Sequence, residues 1–209
     1  MTMKVLLVNG SPHEKGCTNR ALEEIRHTLR EENVDSEILW LGRESLGGCI
    51  ACGGCRHKGE CIYDDVLNHN REKFREADGF VFGSPVHYAA ASGNLTAFMD
   101  RLFYSESKQT FFMKPAAAIT SARRAGTTAT MDQLNKYFSI SQMPIVSSRY
   151  WNMVHGSTPE QVEEDKEGLW TMRALARNMA YLLKCKQAAA AAGIELPQQE
   201  KGEATNFIR

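Results

Sequence analysis

Val5-Leu6-Leu7-Val8, running into Asn9-Gly10-Ser11-Pro12-His13-Glu14-Lys15-Gly16-Cys17-Thr18-Asn19, is the stretch that decides the fold. A short apolar run bounded by polar and turn residues fits a strand buried on both faces, as in a parallel sheet. Beyond the loop, Leu22, Ile25 and Leu29 recur at helical spacing. Strand, loop and helix make the opening unit of an α/β chain. Further along, Phe80-Val81-Phe82, Ala116 to Ile119 and Ile145-Val146 read as buried strands, and Glu37 to Leu41 as a weaker one. Leu95, Phe98, Met99, Leu102 and Phe103 form a second helical stripe, and Met131 to Phe138 a third. Thr158-Pro159-Glu160-Gln161 has a capping residue, Pro at the first helical position and Gln three residues on. One C-terminal helix is therefore expected over 158–193, with Leu169, Met172, Ala176, Met179 and Leu183 inward and Cys185 in the core. The pattern predicts a doubly wound, five-stranded parallel sheet of order 2-1-3-4-5 with helices on both faces, in a single domain over 1–209. One stretch does not fit it. Residues 42–64 lack periodicity and hold four cysteines, so they read as a Cys-rich insertion after the second strand.

The chain has 209 residues, with 25 Lys and Arg against 25 Asp and Glu. A net charge of zero argues against nucleic acid as partner, because phosphates demand clustered cations. It gives no support for a polybasic membrane anchor either. Hydrophobic content of 43% and charged content of 24% are globular values. No apolar run approaches the roughly 18 residues of a spanning helix. Met1 to Val8 leads straight into polar residues and does not read as a secretory signal, so the cytoplasm is the expected compartment.

In a parallel sheet the loop after the first strand lies at the carboxyl edge, where ligands bind. The next helix offers free N–H groups and a positive dipole end there. Ser11, Thr18 and Asn19 add short polar side chains, and His13 and Lys15 add positive charge. The loop reads as a phosphate cradle or as a plain strand-to-helix turn with a hydroxyl cap. It matches neither G-x-x-x-x-G-K-[ST] nor G-x-G-x-x-G, so nucleotide hydrolysis and a standing dinucleotide site have no support. Gly83-Ser84-Pro85-Val86-His87-Tyr88 makes a second loop facing the first, with Tyr88 as a flat surface. Its His87 and Tyr88 also read as ordinary surface residues. Ser121-Ala122-Arg123-Arg124-Ala125-Gly126 makes a third wall, whose arginines suit phosphate or a carbonyl, or form a solvated turn. A flat aromatic ligand carrying one phosphate would span the first two loops.

Asn9 to Pro12 with Gly16 to Asn19, Gly83 to Tyr88, and Ser121 to Thr128 together resemble the NADPH-dependent FMN reductase branch of the flavodoxin-like superfamily. The match is collinear from Met3 to about Gly156. The resemblance implies non-covalent FMN, with NAD(P)H as co-substrate and a flavin, quinone or similar acceptor. By it, Ser11, His13, Cys17, Thr18 and Asn19 border the phosphate; Pro85, Val86, His87 and Tyr88 border the isoalloxazine; Ser121, Arg123, Arg124 and Gly126 close the third side. Many members carry Arg or Lys where His13 stands, which weakens neutralisation of the phosphate, since His is only partly charged near neutral pH. The flavin supplies the redox chemistry, so no catalytic acid or base is expected. Cys17 reads as a space-filler rather than a nucleophile. Proteins of this kind commonly form homodimers or tetramers with flavin near the interface. Trp151, read as following the last strand, would border a neighbour's flavin; Trp40 and Trp170 read as packing or interface residues.

Cys49, Cys52, Cys55 and Cys61 form C-x2-C-x2-C-x5-C. Thiols at intervals of three are expected to converge, and four thiolates ligate an iron–sulfur cluster. The first three spacings equal those of bacterial ferredoxins, but the fourth interval is longer and Ile62 replaces the proline. The motif does resemble that of iron–sulfur flavoproteins, which carry a [4Fe–4S] cluster near FMN. On that resemblance the chain would be an electron carrier. Zinc, which prefers two separated ligand pairs, a redox dithiol of Cys49 with Cys52, and unoccupied thiols are the other readings.

Overall fold

β1 (Lys4–Asn9) lies in the middle of a parallel sheet in the computed structural model, which describes residues 3–200, 202, 205 and 207. Its Val5, Leu6, Leu7 and Val8 are wholly buried because both faces are covered. Val5 and Leu7 join one core and Leu6 and Val8 the other, as the two-residue period of a strand requires. β1 pairs with β2 (Asp35–Trp40) on one side and with β3 (Gly79–His87) on the other. A two-residue strand, β4 (Ala90–Ala91), folds back antiparallel on the end of β3. β5 (Ala116–Ala122) follows β3, and β6 (Met153–His155) forms the far edge. The order is β2-β1-β3-β5-β6. With the hairpin strand set aside, this is the expected 2-1-3-4-5.

One face carries α1 (Cys17–Glu31), which inserts Leu22, Ile25 and Leu29. Between β2 and β3 the chain makes three short helices, α2 (Cys55–Lys58), α3 (Val66–His69) and α4 (Arg71–Glu76). The other face carries α5 (Gly93–Ser105) and α6 (Thr127–Ile140). There the phenylalanines of strand and helix interlock: Phe80 packs on Phe74, and Phe82 on Phe138 at a centroid distance of 5.5 Å. α7 (Pro159–Glu164) and α8 (Lys166–Ala191) return to the first face, where Met172 and Met179 are fully buried. No helix among the described residues is long and apolar enough to cross a membrane.

Five sequence expectations need correction. Ile145-Val146 is not the edge strand. Ile145 makes only an isolated bridge to Ala116, the chain leaves the sheet, and β6 rejoins it opposite Thr120. Asn152 fills the gap: its buried side-chain amide donates to the carbonyls of Ala118 at 3.1 Å and Val146 at 3.4 Å. Trp151 therefore precedes the last strand rather than following it. The C-terminal helix is two helices, because Asp165 leaves helical geometry to accept from the N–H of Gly168 at 2.9 Å and that of His155 at 2.7 Å. Cys185 is exposed. It lies two residues beyond buried Leu183, about 200° around the helix, which is the solvent side.

The last correction bears on the ligand edge. Residues 85–87 are strand rather than loop, and Tyr88 (φ 53°) and Ala89 (φ 58°) alone turn the β3–β4 hairpin. Two successive left-handed residues make the turn that suits the twist of paired strands, usually at the expense of using Gly or Asn.

Candidate functional site

The first loop is shaped by Asn9, the last residue of β1. Its buried side chain accepts from the N–H of Ser11 at 3.0 Å and donates to the carbonyl of Glu14 at 3.1 Å. Ser11 Oγ in turn accepts from the N–H of His13. Gly10 donates to the Gly83 carbonyl at 2.9 Å and lies so close to α5 that a Cβ there would stand 2.7 Å from Leu95 Cβ. The loop ends on Gly16, the N-cap of α1, which provides no side-chain cap, and no acidic residue occupies the first turn. The hydroxyl-capped turn is thus not what the chain builds. The first N–H groups of α1 have no intrahelical acceptor, and the positive end of its dipole opens toward the sheet edge.

The three loops meet there. Thr18 Oγ1 and Ser121 Oγ, both buried, share a hydrogen bond of 2.8 Å that ties α1 to the end of β5. Gly83 permits this approach, since a Cβ on it would meet Thr18 Cγ2 at 2.8 Å. Between the loops lies a cleft of about 450 Å³, lined by Ser11, His13, Cys17, Thr18, Pro85, Val86, His87, Ser121 and Arg123, with Lys15 beside them. That size suits a small cofactor, for which clefts run from about 300 to 1,000 Å³. Four of its lining residues are Lys, Arg or His and none is a carboxylate. Burial pushes the Cys17 thiol up, with the Glu160 carboxylate adding to it, and its sulfur sits 3.5 Å from the Gly156 carbonyl. It stays a neutral thiol that fills space.

Four expected residues lie outside the lining. Asn19 turns back to Asn9 at 3.5 Å. Tyr88 stands fully exposed at the hairpin tip. Arg124 belongs to the exposed turn beyond β5. Gly126, at φ 92°, supports the hairpin from beneath: a Cβ there would be 2.8 Å from Val86 Cγ1. Gly156, Ser157, Thr158 and Pro159 complete the lining and were not expected. Their signal was the Thr158-Pro159 cap, which marks a helix start at the carboxyl edge of the last strand. Trp40 braces the site by donating to the Ser11 carbonyl at 2.8 Å. A wider depression, between Arg26, Arg30 and Ser36, lies at the opposite, amino edge of the sheet, away from the ligand end of this architecture.

The cysteine segment is a second feature. Cys49, Cys52, Cys55 and Cys61 all line one small concavity beside Ile50, Ile62 and Tyr63, and all four are free. The sequence expectation of a single point of convergence is not met: among the described residues no three His, Cys, Asp or Glu side chains stand close enough together to hold an ion. Left-handed Ala51 (φ 52°) and Gly53 (φ 71°) separate Cys49 and Cys52 from the turn of α2 that begins at Cys55. Cys49 and Cys52 are exposed, while Cys55 and Cys61 are half-buried.

α5 holds this segment in place. Asn94 accepts from the N–H of Leu46 at 3.2 Å and donates to the Glu44 carbonyl at 2.8 Å. Two turns on, buried Arg101 reaches Gly47, Cys61 and Asp65. Burial opposes ionisation of Asp65, but Arg101 and the Leu67 N–H outweigh it and hold the carboxyl below its usual range. Sequence reading missed both residues. For Arg101 the signal was a cation set among the apolar stripe of Leu95, Phe98, Met99 and Leu102.

Comparison with known proteins agrees with this architecture. The family model for NADPH-dependent FMN reductase matches residues 3–158. An iron–sulfur flavoprotein of Methanocaldococcus jannaschii is 30% identical over 193 residues, covering 87% of this chain and 98% of the relative. An iron–sulfur flavoprotein of Methanosarcina thermophila is 25% identical, covering 88% and 97%. Among solved structures, a WrbA-like flavodoxin of Agrobacterium tumefaciens superposes with a TM-score of 0.61 at 15% identity, covering 88% of this chain and 98% of the other. The flavodoxin-like fold and the match across three-quarters of the sequence lead to one assignment: this chain belongs to the NADPH-dependent FMN reductase family, close to the iron–sulfur flavoproteins.

Proposed function

We propose that the chain is an FMN-dependent oxidoreductase that takes electrons from NAD(P)H and passes them to a flavin, quinone or similar acceptor. The observation that carries this reading is the uncapped N-terminus of α1 opening into a cation-lined cleft. A dianionic phosphate fits it, because unclaimed N–H groups and a dipole end favour negative charge. Ser11 and Thr18 would add hydroxyl donors, and Ser121 holds Thr18 in place. Pro85 and Val86 offer the edge of β3 to a flat ring, with His87 and Arg123 at the rim. FMN, when bound, supplies the chemistry of hydride acceptance and onward electron transfer. The chain's own part is to bind and orient it, and a nicotinamide donor needs only an open ring face.

A second reading adds a [4Fe–4S] cluster on Cys49, Cys52, Cys55 and Cys61, making the protein an iron–sulfur flavoprotein electron carrier. It is supported by four free thiols on one concavity and by the names of the relatives. The wall of that concavity also includes Ser105, whose hydroxyl is buried with no partner among the described residues. The donor set fits the group in kind. The cluster would supply one-electron transfer beside the flavin. In this reading the protein is a cytoplasmic homo-oligomer serving a small-molecule or protein redox partner.

The test is an ultraviolet–visible spectrum of protein purified without oxygen, with iron and sulfide assays on the same sample. Flavin bands bleached by NAD(P)H, with no iron, support the reductase alone. Flavin bands with about four irons per chain support the carrier. A colourless protein that takes up no FMN overturns both.

A further inference from the structure

We infer that Arg101 is the positioning residue of the four-cysteine pocket, tying the two ends of the segment to α5 and keeping an N–H donor on the sulfur of Cys61. The inference rests on the reading that these thiols hold a metal or cluster. Arg101 is the largest fully buried side chain of the described residues, and its side chain is 1% exposed. A buried cation is tolerated only where it is paired and its donors are used. Here the fork of Nη1 and Nη2 meets both oxygens of Asp65, at 2.7 and 2.8 Å. Nη1 also donates to the Gly47 carbonyl at 3.2 Å, and Nε donates to Cys61 Sγ at 3.3 Å. The ring of Tyr63 lies 4.9 Å from the guanidinium carbon. One side chain thus reaches the stretch before Cys49 and the stretch around Cys61.

The contact with sulfur is the part that exceeds scaffolding. A neutral thiol is a weak acceptor. A sulfur carrying the charge of a ligating thiolate is a strong one, because charge-assisted hydrogen bonds are about twice as strong as neutral ones. The Nε–H bond therefore reaches full strength only when Cys61 ligates, so the buried charge favours the loaded pocket. Ser105, one helical turn beyond Arg101, adds a hydroxyl that has no partner among the described residues. Both donors lie on the side of α5 that meets the concavity. Hydrogen bonds to sulfur and local charge also set the potential of such sites.

The test titrates cobalt(II) alone into the metal-free, FMN-loaded protein without oxygen and follows the sulfur-to-cobalt charge-transfer band. Cys52→Ser confirms that the band belongs to the thiols. Arg101→Met is expected to bind cobalt about 10- to 100-fold more weakly, the usual effect of losing an outer-shell partner. Arg101→Lys restores the charge without the fork and is expected to recover part of the loss. Because Arg101→Met strands the Asp65 carboxylate, the double variant Arg101→Met/Asp65→Asn is measured beside it, with bound FMN per chain reporting an intact fold. After iron and sulfide reconstitution, Arg101→Met is expected to lower the midpoint potential and Asp65→Asn to raise it, opposite shifts that a purely structural role does not produce. Unchanged cobalt affinity and potential in variants that keep FMN overturn the role of Arg101 alone. A native protein that takes up no cobalt overturns the metal reading of the cysteines and this inference with it, while leaving the FMN reading standing.

Discussion

The carboxyl-edge cleft and the cysteine segment are built in opposite ways. The cleft stands at the carboxyl ends of β1, β3, β5 and β6, strands locked by pairing and by burial on both faces. Its parts come from separate loops, yet Gly10, Gly83 and the Thr18–Ser121 bond bring them together through contacts that the sheet dictates. The cysteine segment has one turn of α2 and no strand across residues 42–64. It is fixed from outside, by Asn94 and Arg101 on α5, by Asp65 behind it and by Asn68, which bonds the backbone of Cys61 and Tyr63. A site made by topology survives the loss of single contacts, and a site made by clamps depends on each of them. The contrast also shows a link, because α5 is capped by Ser92, whose hydroxyl donates to the Gly10 carbonyl at 2.6 Å in the first loop of the cleft.

The largest expected effect separates the two regions outright. Cys52→Ser removes one of four ligands and is expected to abolish any metal–sulfur absorbance while leaving the yellow flavin bound one to one. Loss of both colours would show that the segment also shapes the flavin cleft, and the contrast would fail. Next comes Thr18→Val, which removes a hydroxyl from the cleft and from its bond to Ser121. A hydrogen bond to a charged group contributes about 1.5–3 kcal/mol, so FMN affinity should fall tenfold or more by fluorescence titration. An unchanged dissociation constant would remove Thr18 from the phosphate site. Asn94→Ala is smaller. It deletes two hydrogen bonds worth roughly 0.5–1.5 kcal/mol each. Faster proteolysis of segment 42–64, with FMN affinity within about twofold, is the expected result; equal proteolysis would mean that Arg101 and Asn68 suffice as clamps.

The same contrast explains what the sequence disclosed. Val5 to Val8 could be read as a doubly buried strand because every residue in it is apolar, and the loop after it follows from topology. Topology alone thus brings Ser11, Thr18, Pro85 and Ser121 to one edge of the sheet, where they line the cleft. The edge of the sheet was misread because Ile145 and Val146 look like a strand, while the real edge borrows the side chain of Asn152 to mimic a missing backbone donor. That substitution leaves no periodic trace. The break at Asp165 is likewise hidden inside a helical pattern, since a residue that ends one helix and caps the next still lies among helix formers. The cysteine spacing was plain, but its support was not. Arg101 and Asp65 are 36 residues apart, and nothing local in either stretch announces the other.

The finest test of the clamp is its pH dependence. Asp65 is held below its ordinary value of 3.8, burial raising it and the stronger pull of Arg101 and the Leu67 N–H lowering it. A carboxylate with a depressed folded value contributes its full stability above the unfolded value and loses it as pH falls through the folded one. Urea unfolding of metal-free native protein and Asp65→Asn, measured across acid pH, should thus show a constant gap above 3.8 that closes below it. Glu24 and Glu37 are also depressed, Glu24 by Arg173 and Arg20 against burial, Glu37 chiefly by its hydrogen bond to Lys73. They titrate equally in both proteins, so the difference between the curves isolates Asp65. No gap at any pH would mean that Asp65 works only as a spacer or a helix cap through the Leu67 N–H, roles that Asn fills equally, and that the segment is held without an ion pair.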